Sequence, residues 1–77
     1  MLYLIEYDRG EGRLVSLRRF EDRERSQAVK VRIDLEVQLQ RRGDVREVVL
    51  LEAASEEALR KTHRRYFEDL GTLTTGS

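Results

Sequence analysis

Three side chains of this 77-residue chain stand out as candidates for proton transfer: the imidazole of His63 and the carboxylates of Glu6 and Glu52. His63 is the only histidine, and an imidazole titrates near neutrality, so it could act as a general base or a pH-sensitive contact. Its place between Leu59 and Phe67 at helical spacing equally makes it a member of a packed face. Glu6 and Glu52 fall in segments that read as neighbouring strands, where two close carboxylates would push each other's pKa apart as an acid and base pair requires. Sequence spacing does not fix their separation, and charges near strand ends are commonly solvated or paired with arginine. No catalytic set is therefore assigned.

Phosphate recognition would need concentrated positive charge. Arg60-Lys61-Thr62-His63-Arg64-Arg65-Tyr66 is basic with an aromatic, and Arg41, Arg42 and Arg46 surround Gly43. On a helix, however, Glu56 reaches Arg60, Glu57 reaches Lys61, Arg64 reaches Glu68 and Arg65 reaches Asp69, which argues for a charge-laced solvent face. Arg41, Arg42, Arg46, Arg60 and Arg64 are the candidate nucleic-acid contacts, and the balance is against that role. Gly10 and Gly12 are spaced G-x-G but are followed by a strand pattern, not by a helix that could cradle a phosphate. With no cysteine and one histidine, a structural zinc site lacks ligands, and neither a metal nor a cofactor is expected.

Fifteen basic residues balance fifteen acidic ones, so no net field draws the chain to nucleic acid or to an anionic membrane. No apolar run approaches the roughly 18 residues of a membrane span. Met1 to Glu6 lacks the basic start and apolar stretch of a signal peptide, so a cytoplasmic setting with no membrane association is expected. A chain of this size buries only about 60 to 65% of its unfolded surface, and small domains add disulfides, metals or partners to compensate. Without cysteines or metal ligands, association is the remaining device.

The elements follow from periodicity. Residues 2 to 8 form a strand rich in aromatic and branched side chains, Gly10 and Gly12 mark a hairpin loop, and residues 13 to 20 form a second strand. In residues 22 to 42, Val29, Val31, Ile33, Leu35, Val37 and Leu39 alternate with polar residues, a strand periodicity. A helix fits the surroundings better: Asp22 as its cap, Arg41 and Arg42 in the last turn, and Gly43 at the left-handed C′ position. It would carry two stripes, Ala28, Val31, Leu35 and Leu39 on one side and Val29, Ile33 and Val37 on another. Residues 45 to 53 form a third strand, apolar on both faces. A helix capped by Ser55 then buries Leu59, Thr62, His63, Tyr66, Phe67 and Leu70, and Gly71 stops it ahead of a polar 71–77 tail. Val48 to Leu59 resembles the strand-to-helix passage of small ferredoxin-like domains and dimeric α+β barrels, a likeness that implies a fourth strand, for which only Thr72 to Thr75 are available.

The expected fold is thus one α+β domain over residues 1–70. It has the order ββαβα, a small antiparallel or mixed three-stranded sheet in spatial order 2-1-3, and two helices on one face. The alternative is ββββα with residues 28–40 as a strand. With both helices on one face, the other is bare and presents, depending on register, Tyr3, Ile5 and Tyr7 or Leu2 and Leu4, along with Val15, Leu17, Val49 and Leu51, as an interface. A twofold dimer would form sheet on sheet or through the second stripe of the first helix. The function expected from this is a small homodimeric interaction or regulatory module without catalytic activity, binding itself or another protein. The alternatives are a small-ligand binder or enzyme of dimeric-barrel type, with His63, Tyr66, Glu6 or Glu52 lining a cleft, and a nucleic-acid accessory protein.

Overall fold

A computed structural model describes residues 1–68 of the chain. Asp69, Leu70, the Gly71 stop, the 71–77 tail and the 72–75 strand lie outside the described residues. Strand β1 (Leu2–Asp8) and strand β2 (Arg13–Phe20) are joined by a tight turn. Asp8 organises it: its carboxylate accepts the Glu11 amide at 2.9 Å and its carbonyl accepts the Gly12 amide at 2.7 Å. Gly12 takes φ 67°, a left-handed conformation that a side chain would resist. Ser16 lies opposite Glu6 but Leu14 lies opposite Tyr7, so Val15 is an extra, bulged residue.

After a 3-10 turn at Asp22–Glu24, helix α1 (Arg25–Arg42) runs the length of the disputed segment. The strand alternative for residues 28–40 is excluded, and the local chemistry explains why. Glu24 makes no side-chain cap to α1 itself, but its carboxylate accepts the Glu21 amide at 2.8 Å, capping the 3-10 turn that leads into the helix one residue before the expected Asp22 cap. Asp22 instead lies against the Met1 amino nitrogen at 2.9 Å. At the other end Gly43 adopts φ 71°, its amide donates to the Gln40 carbonyl and the Asp44 amide donates to the Leu39 carbonyl. These are the paired bonds of a Schellman stop. The alternation over residues 29–39 is therefore two helical stripes on opposite sides. Ala28 and Leu39 are buried, with Val31 and Leu35 half-buried beside them, whereas Ile33 and Val37 stand exposed.

Strand β3 (Arg46–Glu52) pairs antiparallel with β1, as β2 does, giving the order β2-β1-β3 with β1 in the centre. The crossover through α1 makes β2 and β3 run in the same direction. Small α+β architecture, ββαβα order and strand arrangement all agree with the sequence expectation. The helices' placement does not. Leu2, Leu4, Phe20 and Ala28 form one core with Val31, Val48 and Leu50. Tyr3, Ile5, Tyr7, Leu59 and Tyr66 form a second with Leu17, Val49, Leu51 and Phe67. Because successive strand residues point to opposite faces, α1 covers one side of the sheet and the C-terminal segment the other. The physical reason is that β1 and β3 are apolar on both faces, so two helices on one side would leave a second apolar face in water.

Helix α2 (Glu56–Thr62) begins where Ser55 Oγ accepts the Ala58 amide at 3.1 Å, as its sequence predicts. It ends a turn and more before Leu70. His63 leaves the helical region at φ −125°, ψ 52°, and a 3-10 turn, Arg64–Tyr66, follows. The break re-aims Tyr66, whose ring meets Tyr7 edge to face at 5.4 Å and 84°. A continuous helix would hold Tyr66 on the Leu59 stripe.

Candidate interaction surface

The proton-transfer candidates are not brought together. Glu6 is level with Val48 across β1 and β3 while Glu52 is level with Leu2, which separates the two by four residues of strand, about 13 Å. Each has an arginine of its own. Glu6, only 8% exposed, is ion-paired to Arg46 and accepts from Ser16 Oγ at 3.4 Å. The bond to Glu6 raises the Arg46 pKa above the ordinary arginine value. Glu52 meets Arg25 of α1 at 2.5 Å, fastening the helix to the sheet end. His63 is the half-buried residue between α2 and the 3-10 turn, its amide donating to Leu59 and its carbonyl accepting from Tyr66, its ring 6.5 Å from that of Tyr66. Its backbone marks the break between the two helical segments.

Sequence spacing missed a second polar cluster. Tyr66 Oη donates to Glu47 Oε2 at 2.5 Å, Arg65 Nη2 approaches the same oxygen at 2.7 Å, and Arg9 lies 3.9 Å from the other. Arg65 also covers the Tyr66 ring at 4.3 Å. The Glu47 side chain is 19% exposed. The Tyr66 bond, reinforced by Arg65, holds its carboxyl below the usual range, while burial and the same bond push the Tyr66 phenol up. These directions favour a phenol that keeps its proton and a carboxylate that has lost it, so the cluster clasps the C-terminal turn onto β3 instead of exchanging protons at neutral pH. The register could have placed Glu47 beside Tyr7, but not Tyr66, whose position depends on the break at His63.

The basic candidates are largely engaged. Arg42 lies 3.6 Å from Asp44, Arg64 3.6 Å from Glu68 and Arg60 3.1 Å from Glu56, with Arg60 also over the Phe67 ring at 4.5 Å. Arg46 is committed to Glu6. Arg41 and Arg42 line a surface depression with Gln38, but Arg60 and Arg64 lie on the opposite side of the sheet, so no single basic stripe forms. Among the described residues no three histidine, aspartate or glutamate side chains gather into a metal site, and no helix is long and apolar enough to cross a membrane.

The expected sheet interface is taken up inside the chain. Tyr3, Ile5 and Tyr7 are buried beneath Leu59 and Tyr66, and Leu17, Val49 and Leu51 pack around them. Of the seven candidates only the bulged Val15 stands well exposed. A groove of about 290 Å³ runs beside α1, lined by Leu4, Ser16, Arg18, Val31, Asp34, Leu35 and Gln38. None of His63, Tyr66, Glu6 or Glu52 lines it, so the cleft that a barrel-type enzyme requires is not assembled there.

Among the described residues Val15 on β2 and Val45 ahead of β3 stand exposed, and on α1 two exposed apolar side chains fall on one face. Ile33 is 47% exposed and Val37 41%, one turn apart, with half-buried Val29 a turn before them. Residues of this type at i, i+4 and i+8 form a continuous stripe that points away from the sheet. No protein-family model matches the chain, and comparison with curated proteins and with solved structures yields no match.

Proposed function

We propose that this chain is a small homodimeric interaction or regulatory module that presents the outer face of α1 to a second copy and carries out no catalysis. The observation that supports this reading is the stripe of exposed Ile33 and Val37 with half-buried Val29, diametrically opposite the stripe that α1 buries against the sheet. Bulky branched side chains on the solvent face of a helix gain little in a monomer. Paired with an equivalent surface they each remove apolar area from water, worth roughly 25 cal/mol per Å². A chain with few other stabilising devices gains from that burial. The test is sedimentation velocity from about 1 to 100 µM, the range in which a modest apolar interface associates. A concentration-dependent dimer is expected, and a strict monomer across the range overturns the proposal.

A further inference from the structure

The outer face of α1 carries a pattern that specifies how a second copy would lie on it. Along the line facing away from the sheet stand Ser26, Val29, Ile33, Val37 and Gln40, and their offsets from Ile33 are the same in both directions. At 100° per residue all five lie within about 40° of the Ile33 direction. Lys30 and Asp34 occupy one flank of this seam, Arg32 and Glu36 the other.

We infer that two copies associate through α1 in antiparallel orientation, about a twofold axis passing beside Ile33. This rests on the self-association proposed above and adds its geometry. In that arrangement Ile33 meets Ile33, Val29 comes level with the second copy's Val37, and Ser26 with its Gln40. A twofold of this kind returns each flank to itself in reverse order. Lys30 therefore comes alongside the second copy's Asp34, and Arg32 alongside its Glu36, twice each. Close approach of the two Asp34 side chains, and of the two Arg32 side chains, opposes this once per flank and is outnumbered. A parallel copy reverses the balance, setting Lys30 beside Arg32 and Asp34 beside Glu36 of its mate.

The cysteine-free chain allows a direct test. Ile33→Cys, Val29→Cys and Val37→Cys are made singly, with Lys61→Cys on α2 as control, and each is oxidised at a concentration where the wild type has been sedimented. Disulfides need Cα atoms within about 7 Å. Ile33→Cys is expected to link to itself in high yield. Val29→Cys and Val37→Cys, each about 12 Å from its own copy along the axis, should link poorly alone and well when mixed. Lys30→Asp is expected to weaken the dimer by about tenfold, and Lys30→Asp with Asp34→Lys to restore it to within about threefold. A dimer in which Val29→Cys and Val37→Cys each link to themselves as readily as Ile33→Cys, or in which none of the three links, overturns the antiparallel geometry and leaves self-association standing. A wild-type monomer overturns both.

Discussion

Glu47 shows how one carboxylate can organise a small domain. It receives Tyr66 and Arg65 from the C-terminal turn and sits near Arg9 of the hairpin loop, so three segments meet on a side chain mostly out of water. Removing the Tyr66 hydroxyl leaves Glu47 with less of its hydrogen bonding, and hydrogen bonds to a charged group are worth about 1.5 to 3 kcal/mol. Tyr66→Phe is accordingly expected to lower stability by about 2 kcal/mol in urea denaturation. Combined with Glu47→Gln it should cost less than the two single changes added, because both act on one bond. The same pair sets a pH profile. Glu47 has a lowered pKa in the fold, so its contribution is present above the ordinary value of 4.5 and is lost as pH falls through the folded value. Tyr66 has a raised pKa, so its contribution is present below the ordinary 10.0 and is lost as pH rises through the folded value. Thermal melts from pH 3 to pH 11 should show a plateau between these limits, and Tyr66→Phe should flatten the alkaline limb.

At the scale of elements, α1 shows what local sequence can and cannot specify. The alternation from Val29 to Leu39 fits a strand as well as a helix with two apolar stripes, and only the ends decide between them. Gly43 is the decisive residue: a Cβ there would meet nothing within 4 Å, so its requirement is purely one of backbone conformation at φ 71°. Gly43→Ala should therefore cost about 1 kcal/mol by denaturant titration, without altering the circular dichroism of the folded state. The three strands, their order and the Ser55 cap were legible because each rests on local pattern or on the handedness of a crossover. The side of the sheet each helix covers was not, since it depends on where the chain turns over the sheet edge after Glu52. The short α2 was hidden for the same reason. Leu59, His63, Tyr66 and Phe67 keep helical spacing, and the pull that breaks the helix at His63 comes from Tyr7 and Glu47, distant in sequence.

For the whole molecule, the apolar surplus expected on the sheet is covered from within, and of the expected surfaces the second stripe of α1 is the one left exposed. Sequence composition identified the surplus but could not place it, because Tyr3, Ile5 and Tyr7 look the same whether a helix or a second copy covers them. The exposed part of the α1 stripe, Ile33 and Val37, is small enough for two substitutions to remove. Ile33→Lys with Val37→Lys should give a monomer by sedimentation at every concentration tested, with its far-ultraviolet circular dichroism unchanged, since neither side chain touches the two buried clusters. A variant that still sediments as a dimer would place the contact elsewhere, with the open edges of β2 and β3 the next surfaces to examine.

The central position of β1 also gives its two pairings very different sequence separations. β1 and β2 can meet at once across a short turn, but β3 pairs Asp8 with Arg46 and Leu2 with Glu52 only after the whole of α1 has been crossed. Until then the hairpin presents two oily faces and an unpaired edge. Refolding followed by stopped-flow fluorescence is accordingly expected to be limited by the closure that brings β3 home, and Gly43→Ala, which disturbs the end of α1 ahead of β3, should slow it.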